Sequence, residues 1–309
     1  MKKILITEFM DPSAVDDLAG DFDVTYSPEL VDAPEALLAA VEDADAIVVR
    51  NRTQVRGELL NKAKQLKAVG RLGVGLDNID VEQCEARGIA VLPATGANDL
   101  AVAEYVIGAV FSLLRKIYHA SDRMVAGEWP RTHLMGREVA GKCLGLIGFG
   151  SIAKETCRRA LALGMNVCAY DPYLKSIPEW KDVTLVDIRT LLQTADAVSL
   201  HVPLTVETKH LLDAKMIDMM KPGAIVINAA RGGVLHEAAL IAALKSGHLG
   251  GTALDVFETE PLTEEGGRSF AGLENVILTP HIAGITEESN VRVSRVTAEN
   301  VRSVLKGKA

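Results

Sequence analysis

Short apolar runs alternate with segments of helical period along almost the whole chain. Runs rich in Val, Ile, Leu and Ala predict strands at 3–8, 23–26, 46–49, 68–72 and 90–92. Between them, apolar residues recur at helical spacing over 34–41, 57–63 and 80–87. Strands separated by helices define a parallel sheet with crossover connections. Residues 98–124 read as one long helix, with Asn98 as N-cap and Asp99 at the positive end of the helix dipole. The first half of that helix is apolar nearly all round, which implies burial on more than one side. Either it connects two domains and packs on a second subunit, or it is an ordinary core helix. A second series follows, with strands at 143–147, 165–170, 197–200, 224–227, 251–254 and 276–278. Its helices are expected at 152–163, 188–193, 214–219 and 237–246. A last helix, 287–305, carries valines on one face and is expected to return to the first domain.

The 309 residues suit two domains of ordinary size, and 48% hydrophobic with 24% charged residues supply ample core. A formal net charge of −8, with the acidic excess spread out, argues against a nucleic-acid partner. The longest nearly apolar run, 105–114, is too short to span a membrane, and the first residues read as a strand, not a signal peptide. Four cysteines lie far apart in sequence without a C-x-x-C pair, and Cys143 and Cys168 fall in core strands. They read as reduced, buried thiols, so the expected location is cytoplasmic. The histidines show no metal-ligand spacing, and no metal site is expected.

The strand at 143–147 runs into Gly148-Phe149-Gly150-Ser151-Ile152-Ala153, the G-x-G-x-x-A pattern of a dinucleotide-binding turn. Gly148 makes the tight turn, Gly150 lets the backbone approach a pyrophosphate, and Ala153 lets the helix pack on the strand. The diphosphate would rest on free N–H groups at the helix start. The next strand ends in Asp171, at the distance where a carboxylate accepts from both ribose hydroxyls and repels a 2′-phosphate. No arginine follows it (Pro172-Tyr173-Leu174), so NAD is expected over NADP.

Later strands end in polar clusters: His201-Val202-Pro203, Asn228 to Gly233, Asp255 to Pro261, and Thr279 to Gly284. Oxidising a hydroxy acid needs a cation for the carboxylate, a base for the hydroxyl proton and a partner to orient that base. Arg231, His281 and Glu260 are the right types for those three tasks. Each alone also has an ordinary reading as a turn, core or loop residue. In the first domain, the loops at Arg50-Asn51-Arg52 and at Gly73-Val74-Gly75 follow strands, where α/β sheets bind ligands. Paired glycines there offer N–H groups to an anion, whereas the arginines could equally be a solvated edge.

The chain resembles the D-isomer-specific 2-hydroxyacid dehydrogenases, in particular their phosphoglycerate-dehydrogenase-like branch. The matching stretches are 73–80, 98–104, 145–153, Asp171-Pro172, 201–203, 229–233, 254–261 and 280–284, in family order. The resemblance implies an α/β fold of two Rossmann-like parallel-sheet domains. An NAD-binding domain (99–284) would be inserted into a flavodoxin-like substrate domain (1–98 plus 285–309). It implies catalysis by Arg231, Glu260 and His281. Cofactor contacts are implied at Val74, Gly148, Gly150, Ser151, Ile152, Asp171, His201, Val202, Pro203, Ala229, Ala230, Arg231, Asp255, His281 and Gly284. Substrate contacts are implied at Arg50, Asn51, Val74, Gly75, Asn98, Arg231 and His281. It also implies a homodimer through the cofactor domains; residues 127–133, a polar arm with the one large aromatic Trp129, read from the sequence itself as part of a dimer contact. The chain stops soon after the closing helix, so no regulatory domain of the longer relatives is expected. Arg50 and Arg52 suit a second anion on the substrate, and (S)-sulfolactate is expected ahead of phosphoglycerate or a dicarboxylic hydroxy acid. Some members of the family are NAD-sensing co-repressors that retain the catalytic residues. The absence of low-complexity segments favours the enzyme.

Overall fold

The computed structural model describes residues 1–117 and 120–307. The chain divides into two compact units, Met1–Asn98 with Ile285–Ala309, and Asp99–Gly284. The first opens with β1 (Lys3–Ile6), α1 (Pro12–Ala19) and β2 (Asp23–Tyr26), then α2 (Pro34–Ala40), β3 (Ala46–Val49) and α3 (Gly57–Lys62). It continues with β4 (Ala68–Arg71), α4 (Val81–Ala86) and β5 (Ala90–Pro93). The second unit holds α5 (Asp99–Arg115), α6 (Ser121–Val125), β6 (Cys143–Ile147), α7 (Ser151–Ala162), β7 (Asn166–Tyr170) and β8 (Val183–Leu185). After these come α8 (Ile188–Thr194), β9 (Ala197–Leu200), α9 (Ala214–Asp218), β10 (Ile225–Asn228) and α10 (Glu237–Lys245). The unit ends with β11 (Gly251–Leu254), α11 (Glu264–Arg268) and β12 (Val276–Leu278), and α12 (Glu287–Leu305) returns to the first unit.

Both sheets are parallel. The first has the order β2-β1-β3-β4-β5, the flavodoxin-like arrangement, whose strand order reverses between β1 and β3. The second has the order β12-β11-β10-β9-β6-β7-β8 and reverses between β6 and β9. In such sheets ligands bind beyond the strand carboxyl ends at the reversal. The apolar face of each strand explains the order: β3, β9, β10 and β11 are buried at every residue. Helix α12 is amphipathic, with Val293, Ala298, Val301 and Leu305 buried against Ile4, Val48 and Ala68. It lies so close to β4 that a Cβ on Gly70 would meet the Val301 side chain at 2.7 Å. A capping box between Thr286 and Ser289 starts this helix.

The expected strands and helices shift by at most two residues at their ends, with one larger difference. The helix expected over 98–124 ends at Arg115, because Lys116 turns left-handed at φ 54°; α6 then begins at Ser121. Residues 118 and 119, which that expectation also covered, lie outside the described residues. Asn98 does not cap α5 either, since its buried Oδ1 accepts no hydrogen bond. Helix α1, with Asp11 accepting from the Ser13 N–H and Pro12 in its first turn, was not singled out by the apolar pattern, and neither were β8 or α11. Cys143 is half-buried where a buried thiol was expected, and its Sγ lies 3.6 Å from that of buried Cys168 on the neighbouring strand.

Candidate active site

In the second unit, β6 delivers the chain into Gly148, whose φ of 88° is left-handed and whose absent Cβ would lie 2.6 Å from the His201 carbonyl. Only glycine fits there. Its N–H donates to the Tyr170 carbonyl at 2.7 Å, which ties the turn to β7. Gly150 is the N-cap of α7 and supplies no side-chain cap, so the first N–H groups of the helix, at Ser151 and Ile152, remain open. A Cβ built on Gly150 meets nothing within 4 Å. Ala153, fully buried, is where the helix meets the sheet. Asp171 holds the same turn, accepting from the Phe149 N–H through Oδ2 and from the Tyr173 N–H through Oδ1, each at 3.0 Å. An open space over Gly150, uncapped helix N–H groups and an adjacent carboxylate together fit a dinucleotide with free ribose hydroxyls.

His201 follows β9 and its N–H donates to the Ile147 carbonyl at 2.7 Å. Its Nε2 is 2.9 Å from the buried Ser199 hydroxyl, and burial pushes the imidazole down to about 4. A ring that stays neutral at working pH keeps a single N–H and can line a site together with Val202 and Pro203, but does not take up a second proton there. Asn228, ending β10, braces the next loop: its Oδ1 accepts the Ala230 N–H at 3.1 Å, and its Nδ2 donates to the Arg231 carbonyl at 3.0 Å. Ala229 packs on the core behind it.

The structure brings Glu260 and His281 together, with Nδ1 of the imidazole 2.8 Å from Glu260 Oε2. Because a carboxylate only accepts, Nδ1 carries the hydrogen, and Nε2 of the neutral ring is left as a base. The other oxygen, Oε1, accepts the Phe257 N–H at 3.0 Å. Burial works to raise the Glu260 carboxyl, but the hydrogen bonds from His281 and Phe257, with the charge His281 bears once its ring is protonated and that of Arg231, outweigh it and leave it lowered. The Arg231 and Glu260 loops are pressed together: a side chain on Gly232 would overlap the Phe257 carbonyl. The His281 side chain is 44% exposed, enough to meet a substrate.

His281 itself sits at φ 56°, a conformation costly for a residue with a Cβ. Asp255, buried at the end of β11, holds the strap around it. Its Oδ1 accepts from the Ile282 N–H at 2.8 Å and the Thr279 hydroxyl at 2.6 Å, and Oδ2 accepts the Ala283 N–H at 2.8 Å. The His281 N–H donates to the Asp255 carbonyl at 2.9 Å. Gly284 follows at the end of the strap.

In the first unit the expected residues gather at the carboxyl ends of β3, β4 and β5. The loop after β3 is folded around Glu8, a buried carboxylate the sequence did not single out. Glu8 accepts the N–H groups of Arg50 at 2.8 Å, Asn51 at 3.3 Å, Arg52 at 3.1 Å and Thr53 at 3.0 Å. Arg50 reaches Asn290 of α12 through Nη2 at 2.8 Å; burial pushes its guanidinium down from its ordinary value, with Glu8 opposing. Arg52 differs from Arg50 in that its guanidinium is forked onto the Asp32 carboxylate and exposed. Val74 is exposed beside Gly75 after β4, and Asn98 follows β5 with its buried Oδ1 lacking a donor. Among the described residues no cluster of His, Cys, Asp and Glu could hold a metal. No helix among them is long and apolar enough to cross a membrane.

A nucleotide turn, a carboxylate-oriented histidine beside an arginine, and two parallel α/β units define a nicotinamide-dependent dehydrogenase. The chain belongs to the D-isomer specific 2-hydroxyacid dehydrogenases, whose NAD-binding domain matches residues 107–283. It is 52% identical to an (S)-sulfolactate dehydrogenase from Chromohalobacter salexigens, over 99% of both chains. It is 42% identical to a D-3-phosphoglycerate dehydrogenase from Methanocaldococcus jannaschii, over 99% of this chain but 58% of that relative. A D-lactate dehydrogenase from Aquifex aeolicus, solved with NAD and lactic acid, superimposes with a TM-score of 0.88 at 29% identity, over 99% of this chain and 96% of that one. The protein is an NAD-dependent oxidoreductase acting on 2-hydroxy acids.

Proposed function

We propose that the protein interconverts (S)-sulfolactate and 3-sulfopyruvate. The dehydrogenase chemistry follows from the His281–Glu260 pair at 2.8 Å next to Arg231. In oxidation, Arg231 pairs with the substrate carboxylate and polarises the oxygen on C2. The hydroxyl proton passes to Nε2 of His281, and Glu260 stabilises the imidazolium that forms. Gly148, Gly150, Ser151, Ile152 and Asp171 would hold the NAD, which accepts the hydride from C2 when bound. Val202, Pro203, Ala229 and Gly284 would wall its nicotinamide half. Arg50, Asn51, Val74, Gly75 and Asn98 are assigned to the substrate, with Arg50 reading the anion at its far end. The strong similarity to a sulfolactate dehydrogenase supports the sulfonate, and the similarity to phosphoglycerate dehydrogenases makes D-3-phosphoglycerate the runner-up.

The same reading makes the protein a cytoplasmic homodimer. Ile117, Met124, Val125, Trp129 and Met135 form an exposed apolar series on the second unit, as an interface arm would. Sedimentation of the intact protein against a Trp129→Ala variant tests this: a wild-type monomer removes the dimer. The test of the substrate is NADH consumption with 3-sulfopyruvate, phosphohydroxypyruvate, hydroxypyruvate, oxaloacetate and pyruvate. A preference of about a hundredfold in kcat/KM, or about 2.7 kcal/mol, for 3-sulfopyruvate is expected. An equal preference for another acid would replace the sulfonate.

A further inference from the structure

We propose that Tyr105 and Thr279 are positioning residues for His281, acting through the Asp255 carboxylate. The inference rests on His281 being the residue that exchanges the proton with substrate. Thr279 Oγ1 lies 2.6 Å from Asp255 Oδ1 and 2.7 Å from the Tyr105 hydroxyl. With three donors aimed at its two oxygens, the Asp255 carboxylate acts only as an acceptor. Thr279 therefore donates to Asp255, and its oxygen accepts from Tyr105. The direction of both hydrogen bonds is fixed by chemistry. Burial pushes the Tyr105 phenol up, the Thr279 contact opposes this and nearby Asp255 adds to it, giving about 12; the phenol stays a donor at working pH.

The chain matters because of what Asp255 holds. Its carboxylate pins the N–H groups on the carboxyl side of His281, while the Thr279 hydroxyl pins it from the amino side. Together they keep His281 at a left-handed φ of 56° and its Nδ1 on Glu260. Tyr105 adds an anchor outside the strap, because it stands on α5 between the fully buried Val106 and the buried Val102. A strained backbone keeps one conformation only when its surroundings over-determine it. Loss of one donor would leave His281 free to drift from the reacting oxygen while the nucleotide turn is untouched.

The test uses the full chain with 3-sulfopyruvate and hydroxypyruvate as probes and five variants: Y105F, T279V, T279S, Y105F/T279V and, as reference, H281A. At saturating NADH, T279V should lower kcat by about 10- to 100-fold, the cost of misplacing a reacting group by about 1 Å. Y105F should act in the same direction but less. NADH affinity, read by fluorescence, should stay within about twofold, because nothing at the dinucleotide turn changes. T279S should recover most of the loss. The double variant should be no worse than T279V, since Tyr105 acts only through Thr279. Wild-type kcat in Y105F, additive losses in the double variant, or a T279V loss that serine does not recover would each overturn the proposal. Full turnover by H281A sinks the underlying reading instead. Should neither probe be turned over, the His281 imidazole NMR signal, assigned with H281A, decides. It should move or split in T279V, and an unmoved signal counts against the chain.

Discussion

Glu8 carries Arg50: the buried carboxylate at the end of β1 accepts the Arg50 N–H at 2.8 Å and those of the next three residues. Those strands, β1 and β3, are the pair at which the sheet order reverses. The acid thus converts a free loop into a fixed platform for the guanidinium. Glu8→Gln should turn an amide N–H₂ toward backbone donors and leave some of them unmet. A stability loss of about 2–4 kcal/mol is expected from two such orphaned groups. KM for the oxo acid should rise while NADH affinity is unchanged. Urea titration with steady-state kinetics checks both, and an unaltered KM would show that the platform is irrelevant to substrate.

The two arginines on that platform should behave differently. Arg52 is spent on Asp32 at the surface, whereas Arg50 is held by Asn290 and half-buried. Arg50→Ala should cost about 10- to 100-fold in kcat/KM, the worth of one charge-assisted contact. Arg52→Ala should stay within about twofold, as exposed ion pairs contribute little. Discrimination between 3-sulfopyruvate and pyruvate should collapse only in the Arg50 variant. Equal losses in both would restore the two-arginine reading.

Much of this site is legible in the sequence because its residues stand at strand ends, and strand ends follow from local periodicity and turn residues. Gly148, Asp171, Arg231, Glu260 and His281 are all found that way. What the sequence hides is long-range pairing. Glu8 looks like any acid after a strand, since its four donors come more than forty residues later. Tyr105 and Thr279 are 174 residues apart and meet only because α5 packs on the sheet. Arg52 reads as a substrate residue until Asp32 takes its charge. The end of α5 at Arg115 is equally hidden, for a lysine at φ 54° carries no glycine signal.

Asp196 offers a test of how the second sheet is held. Buried at the start of β9, it accepts the Cys143 N–H at 2.9 Å and Lys221 Nζ at 2.8 Å. Burial works to raise its carboxyl, but Lys221 and the Cys143 N–H outweigh it and leave it lowered. A folded value below the unfolded one stabilises the protein above about 4, the ordinary carboxylate range, and that contribution fades as pH falls through the folded value. Asp196→Asn should cost about 1–3 kcal/mol at pH 7, with the gap to wild type closing toward pH 3. Urea midpoints at pH 7, 5, 4 and 3 measure it. A gap that stays constant with pH assigns the loss to packing instead.

Two glycines separate cofactor binding from folding. A Cβ on Gly150 meets nothing within 4 Å, so Gly150→Ala should melt with the wild type. The same methyl would occupy the space through which a pyrophosphate approaches the helix N–H groups, so NADH affinity should fall by at least about tenfold. Gly232→Ala is the opposite case. Its methyl overlaps the Phe257 carbonyl, and relief requires the Arg231 and Glu260 loops to move apart. Overpacking of this kind should cost about 1–3 kcal/mol, and kcat should fall by more than the NADH affinity does. Calorimetry and NADH fluorescence on the pair distinguish the two glycines. If Gly150→Ala binds NADH normally, the turn at Gly148 to Ile152 is not where the pyrophosphate rests.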